Sequence, residues 1–233
     1  MIPKYIHYVW LSGEELPELN RYCVESWHRV LKGYEIRRWT AEDFDIESMP
    51  YVREAVREKK WAFATDCLRA EILLREGGIY MDSDVCLYRS FDGLLQDRFF
   101  SFIEYHHDST AAVIQAACMG AEAGHPFIQA CADYYRNRHF LRADGSLDTE
   151  RLAPDVFAEI AAGFGFDAEC PTAQDLRCGM RIHDRTILAG TPWELDSESM
   201  GVHLCAGSWR NMDSAEREYF TRLKLSVITQ PEK

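Results

Sequence analysis

The sequence has no Cys-x-x-Cys pair, no internal repeat, no low-complexity tract and no apolar run long enough to cross a bilayer. Each absence closes a class. Without paired cysteine spacing there is no zinc or dithiol redox motif. The eight cysteines (Cys23, Cys67, Cys86, Cys118, Cys131, Cys170, Cys178 and Cys205) are scattered through helical and strand patterns, where cysteine acts as a small buried hydrophobe. They fit a reduced, cytosolic setting. With no long apolar run, no transmembrane segment is expected. Met1-Ile2-Pro3-Lys4 runs straight into a strand pattern, so no signal peptide is expected either. Positive charge is also short, with 26 Lys and Arg against 38 Asp and Glu and a net charge of −12. That balance argues against nonspecific nucleic-acid binding and against docking on anionic lipid by charge. What is present is an ordinary globular composition, 47% hydrophobic and 27% charged, over 233 residues. This length suits one domain with a full core and a small helical addition.

The chain is organised around residues Trp61 to Leu87, WAFATDCLRAEILLREGGIYMDSDVCL. Thr65 is suited to cap a helix, Asp66 to its first turn, and Leu68, Ile72 and Leu73 repeat at helical spacing. Gly77 and Gly78 end that helix, and Ile79, Tyr80 and Met81 form a short strand running into Asp82-Ser83-Asp84. A helix of about 12 residues spans roughly 18 Å, and a returning strand of about six residues roughly 20 Å. The matched lengths predict that Asp66 comes back beside Asp82 and Asp84, with Arg69 on the same helical face as Asp66. One sheet edge then collects three carboxylates and a guanidinium, at the carboxyl end of a strand, where open α/β sheets place ligands.

Before this stretch, Ile2 to Leu11 reads as a strand and Pro17 to Leu31 as a helix. Tyr34 to Trp39 reads as a second strand, Thr40 as the cap of a short acidic helix, and Pro50 to Lys60 as a surface helix with solvated charges. The order β-α-β-α-α-β is that of a Rossmann-like nucleotide-binding half. Beyond it, Phe99 to Ile103 and Ala112 to Met119 read as strands. Pro126 to Arg138 and Pro154 to Phe164 read as helices, Thr186 to Ala189 and Val202 to Cys205 as strands, and Asp213 to Val227 as a covering helix. Ala168 to Arg185 is turn-rich and takes no assignment.

TDCLRAEILLREGGIYMDSD resembles the sugar-binding region of DXD-containing glycosyltransferases, in particular glycosyltransferase family 32. That family includes capsular-polysaccharide transferases and fungal mannosyltransferases, and its core is related to the glucosylating clostridial toxins. The isoleucine-proline-lysine opening with His7 and Trp10, the Gly124-His125-Pro126 helix entry and the run from His203 to Ser208-Trp209 are similar to the same family; Leu152-Ala153-Pro154 departs from the glycine-proline often found there. The resemblance implies an α/β fold of the GT-A, Rossmann-like, nucleotide-sugar transferase type with additional helices. It implies one catalytic domain over 1–233, with a nucleotide-binding half at 1–105 and the acceptor side and C-terminal closure at 106–233.

The activity implied is retaining, metal-dependent hexosyl transfer from a nucleotide sugar (a UDP-sugar before GDP-mannose) to a glycan or lipid-linked saccharide, in capsule or other polysaccharide synthesis. Mn²⁺ or Mg²⁺ would offset the acidic site against a diphosphate. On this resemblance Asp84 binds the metal, and Asp82 contacts ribose, sugar or a water of the ion's shell. Asp66 and Arg69 hold ribose and donor hydroxyls, and Trp10 stacks on the base. His203 is a further metal ligand, Ser208 and Trp209 lie near the diphosphate, and His7 is a structural strand histidine. The expected setting is cytoplasmic, with peripheral attachment at the inner face of the membrane as a variant. Specificity is assigned to the loops Ser12–Leu19 and Glu104–Thr110. Two rivals remain: a non-catalytic nucleotide-sugar-binding subunit, and a haloacid-dehalogenase-type phosphatase. The second lacks a convincing downstream acidic pair between Asp167 and Asp175.

Overall fold

β-Branched and aromatic residues at the start of the chain form a short strand, β1 (Tyr5–Val9), with Ile6 to Val9 all buried. The computed structural model describes residues 1–106, 109–206 and 213–228. After β1 come α1 (Glu18–Val30), β2 (Glu35–Trp39), α2 (Pro50–Arg57), α3 (Trp61–Glu76), β3 (Gly78–Met81), β4 (Val85–Leu87), β5 (Phe99–Tyr105), β6 (Ala112–Ile114) and β7 (Cys118–Ala121). Then follow α4 (Pro126–Arg136), α5 (Ala153–Ala162), β8 (Gln174–Leu176), β9 (Met180–His183), β10 (Leu188–Ala189), β11 (Gly201–His203) and α6 (Ser214–Ile228).

The main sheet runs β2-β1-β3-β7-β5-β9-β8, with β6 paired to β5. β2, β1 and β3 are parallel, β7 runs against both β3 and β5, and β5 is parallel to β9. One continuous sheet therefore joins strands from both sides of residue 105. A second, small sheet, β10-β11-β4, sets β11 antiparallel to β4 with His203 opposite Val85. On one face of the main sheet α2, α3, α4 and α5 close over a core that includes Leu68, Ile72, Phe99 and Phe127. On the other face Ile6, Ile79, Met81, Phe100 and Trp27 form a second core. Leu68 and Ile72 are fully enclosed, and burial of such side chains contributes about 1.5–3 kcal/mol each.

Several expected elements are differently bounded. The central helix starts at Trp61, not at Thr65: Thr65 Oγ1 donates to Trp61 O at 2.8 Å inside the helix instead of capping it. Trp61 and Phe63 pack into the core, and that packing carries the helix one turn further toward its N-terminus than capping chemistry alone would. The run Ala112 to Met119 is two strands, broken at Gln115–Ala117, where the Ala116 carbonyl turns toward Arg69. Ala168 to Arg185 contains β8 and β9, which extend the main sheet. The Pro50 helix is not wholly solvated: Glu54 is buried, and its carboxylate accepts from His139 Nδ1 (2.7 Å) and Leu141 N (2.9 Å). β5 runs to Tyr105, so Glu104 belongs to a strand and not to a loop.

Candidate active site

Two consecutive glycines make the turn that builds the site. Gly77 (φ +65°) and Gly78 (φ +96°) both lie in the left-handed region, so the chain reverses from α3 into β3 without a linker. A Cβ on Gly78 would stand 2.8 Å from His7 Nε2 and 2.9 Å from Tyr5 O. His7 Nε2 donates to Gly77 O (2.8 Å), and Trp39 Nε1 donates to His7 Nδ1 (3.1 Å). His7 is thus a wholly buried structural histidine, and burial, with smaller charge effects from Arg37 and Arg75, lowers its pKa to about 4.

From that turn, β3 delivers Asp82 and Asp84 to the carboxyl edge of the sheet. Arg69, on α3, points there as well. Its Nη2 lies 2.8 Å from Asp66 Oδ1 and 3.4 Å from Asp82 Oδ1, its Nη1 donates to Ala116 O, and its guanidinium lies over the Tyr80 ring at 4.7 Å. Tyr80 Oη donates to Asp82 Oδ1 at 2.7 Å. Arg69 and Asp66 are both buried, and such charges persist in a fold only when paired this closely. Burial pushes the Asp66 carboxyl up to about 7 despite the adjacent Arg69, and it raises Asp82 too.

Asp84 faces the other way, toward the small sheet. Its Oδ1 lies 3.6 Å from His203 Nε2, and its Oδ2 accepts from Ala206 N at 2.6 Å. Burial alone would raise this carboxyl. The His203 charge and hydrogen bond, with the Ala206 amide, outweigh burial and hold it down at about 2. Burial alone would likewise lower His203, but Cys205 and Asp84 together hold its imidazole well above the ordinary range. Asp82, Asp84 and His203 each offer one ligand atom, and the three atoms lie within 4.8 Å of one another. Two carboxylate oxygens and one imidazole nitrogen make a donor set that fits Mn²⁺, and Mg²⁺ less closely, since Mg²⁺ favours an all-oxygen shell.

Asp66, Arg69, Asp82, Asp84 and His203 therefore meet in space. Trp10 follows β1 at the same edge, half-buried, with Nε1 donating to Glu14 O (2.8 Å); beside it Asn20 Nδ2 donates to Ser83 Oγ (2.8 Å). Ser208 and Trp209 lie outside the described residues. His125 has a local role, its Nδ1 accepting from Phe127 N at the start of α4. Tyr80, the Ala206 amide, Cys205 and Gln115 are not among the expected site residues, and Glu104 is expected only as the start of a specificity loop. Tyr80 was readable, because residues two apart on a strand share a face; the others reach the site only through strand pairing.

This sheet, with an Asp-x-Asp at the end of a central strand and a histidine closing over it, has the GT-A fold of glycosyltransferases. The structure of a glycosyltransferase involved in glycosylation of the major capsid of PBCV-1 matches 94% of this chain and 100% of its own, with a TM-score of 0.50 at 14% identity. The chain belongs to the family of capsular polysaccharide synthesis proteins, whose model matches residues 1–144. It is 28% identical over 169 residues to an uncharacterized glycosyltransferase of Acanthamoeba polyphaga mimivirus, covering 68% of this chain and 64% of that protein. It is 30% identical over 131 residues to inositol phosphoceramide mannosyltransferase 3 of Schizosaccharomyces pombe, covering 54% of this chain and 35% of that one. The chain thus spans less than two-thirds of either curated relative. No helix among the described residues is long and apolar enough to cross a membrane.

Proposed function

We propose that this chain transfers a hexosyl unit from a nucleotide-diphosphate sugar to a saccharide acceptor, free or lipid-linked, in capsule or related glycan synthesis. The observation that carries this reading is the convergence of Asp82, Asp84 and His203 within 4.8 Å, beside the Asp66–Arg69–Asp82 bridge. Asp84 and His203, with Asp82, would hold a divalent ion, Mn²⁺ before Mg²⁺. When bound, that ion neutralises diphosphate charge as the sugar departs. Arg69 holds Asp66 and Asp82 with their remaining oxygens free to accept donor hydroxyls, and Trp10 stacks on the base. Retention of anomeric configuration follows from the family resemblance, as does the order of donors, UDP-sugars before GDP-mannose. The reaction takes place in the cytoplasm, at the inner face of the membrane where the acceptor is lipid-linked.

The test is donor hydrolysis and transfer across UDP- and GDP-hexoses, with Mn²⁺, with Mg²⁺ and with chelator. Turnover is expected with at least one donor in Mn²⁺, none in chelator, and none for Asp84→Ala, which should also bind UDP more weakly. Full activity of Asp84→Ala, or of the wild type in excess chelator, would refute the metal-dependent reading. Tight donor binding with no turnover toward any acceptor would instead identify a nucleotide-sugar-binding subunit.

A further inference from the structure

Among the described residues, the buried side-chain polar atoms with no hydrogen-bond partner are Arg53 Nε, Glu104 Oε2 and Gln115 Oε1. The latter two share one face of one ladder. Glu104 lies opposite Val113 in the β5–β6 pair, and the ladder continues with Gln115 N donating to Phe102 O (2.9 Å). Positions two apart on a strand point the same way, so Glu104 and Gln115 project from the same side, that of Phe102 and Leu188. Gln115 Nε2 donates to Leu188 O (3.4 Å), which fixes the amide with its oxygen left over. Both unpaired atoms are therefore hydrogen-bond acceptors.

Their place in the sheet is at the site. Phe99 of β5 and Gly78 of β3 both pair with Ala121 of β7, so β5 and β3 run in the same direction with β7 between them. Glu104 is then level with Ser83, at the edge that carries Asp82 and Asp84. Burial raises the Glu104 carboxyl, while His203, His106 and Arg69 oppose that shift and Asp82 adds to it. Asp66, Arg69 and Asp82 occupy the α3 side of that edge and are already joined to one another. Glu104 stands on the opposite side, toward the small sheet and His203.

An enclosed carboxylate oxygen without a partner is costly, and native folds leave few such atoms. Acceptor-only atoms are satisfied by hydroxyl groups and repel phosphate or carboxylate. We infer that Glu104, with Gln115 behind it, receives the attacking hydroxyl of a neutral acceptor saccharide, on the side of the Asp82–Asp84–His203 cluster away from α3. The inference rests on the proposed transferase reading, and it places the residues that hold donor hydroxyls toward α3 and the acceptor toward β11.

The experiment uses the full chain with Glu104→Gln and Glu104→Ala, read three ways. The first is the affinity for UDP in Mn²⁺, the second hydrolysis of whichever UDP- or GDP-hexose the wild type turns over, and the third the melting temperature. Water takes the acceptor's place in hydrolysis, so no acceptor need be known. Loss of one charge-assisted hydrogen bond should lower kcat about ten- to a hundred-fold. The donor KM and UDP affinity should stay within about twofold, a difference too small to represent a lost contact. The melting temperature should hold or rise, because an unpaired buried charge has been removed. Three results overturn the inference: full hydrolysis by Glu104→Gln, loss of UDP affinity in step with kcat, or a lowered melting temperature in both variants without a kinetic defect. If the wild type hydrolyses no donor and Asp84→Ala leaves UDP–Mn²⁺ binding unchanged, the transferase reading itself fails and this inference falls with it. A working wild type beside fully active Glu104 variants removes this inference alone.

Discussion

Arg69 ties Asp66 and Asp82 together at the site, and its geometry explains why no other cation would serve. One planar guanidinium reaches Asp66, Asp82 and the Ala116 carbonyl while lying over Tyr80. A lysine ammonium is a single point charge and could not span that set. Removing one member of a buried pair leaves the other charge uncompensated, so Arg69→Ala should destabilise the protein by about 3–5 kcal/mol. Urea titration measures this directly; a loss below about 1 kcal/mol, the range of an exposed ion pair, would mean that Asp66 and Asp82 are solvated after all. Trp10 makes a different demand. Its backbone joins β1 to β2 through Trp10 N donating to Trp39 O, yet its ring is only half-buried. With the ring stacked on the donor base, Trp10→Ala should raise the donor KM roughly five- to a hundred-fold, the worth of ~1–3 kcal/mol of stacking. The circular dichroism spectrum should be unchanged; unfolding without a selective donor effect would place the ring in the core instead.

At the scale of elements, the α3–turn–β3 unit positions Asp66, Arg69, Asp82 and Asp84, and its turn has no room for a side chain. Gly78 combines a left-handed φ of +96° with a Cβ position 2.8 Å from His7 Nε2 and 2.9 Å from a backbone oxygen. Gly78→Ala should therefore cost at least about 1–3 kcal/mol, from backbone strain and forced displacement of β1. Activity should fall with it, since Asp82 and Asp84 directly follow that strand. Gly93, by contrast, meets nothing within 4 Å, and Gly93→Ala serves as the control expected to melt like the wild type. Equal melting temperatures for the two variants would contradict the account of the turn.

At the scale of the whole molecule, stability should depend on pH through His7. In the unfolded chain a histidine takes up a proton near pH 6.5; in the fold His7 does so only near pH 4. The unfolded state binds the extra proton across that window, so His7 favours folding above it and this contribution is lost as pH falls from about 6.5 to about 4. The loss reaches about 3 kcal/mol at most. Asp66 acts with the opposite sign, since its folded value is raised to about 7 and its contribution is lost as pH rises. Comparison of wild type with His7→Gln isolates the first effect. The difference in unfolding free energy between wild type and variant should shift against the wild type as pH falls from about 7 to about 4, and parallel curves would show that His7 is not held neutral.

The sequence alone determined the α3–turn–β3 unit and what it carries, because these are local consequences of the chain. Helical repeat, paired glycines and strand alternation act within a few residues, and the matched lengths of a helix and its returning strand place Asp66 and Arg69 beside Asp82. The start of α3 escaped this reading because packing of Trp61 and Phe63, not capping at Thr65, decides where that helix begins. Tertiary structure alone decided the rest. His203 reaches Asp84 because β11 pairs with β4, and Glu104 and Gln115 share a face because β5 pairs with β6 and lies level with β3 across β7. Such pairings join residues up to 122 positions apart, as Ala206 and Asp84 show. Their register is set by which apolar faces fit together, a property of the assembled core that no local stretch of sequence contains.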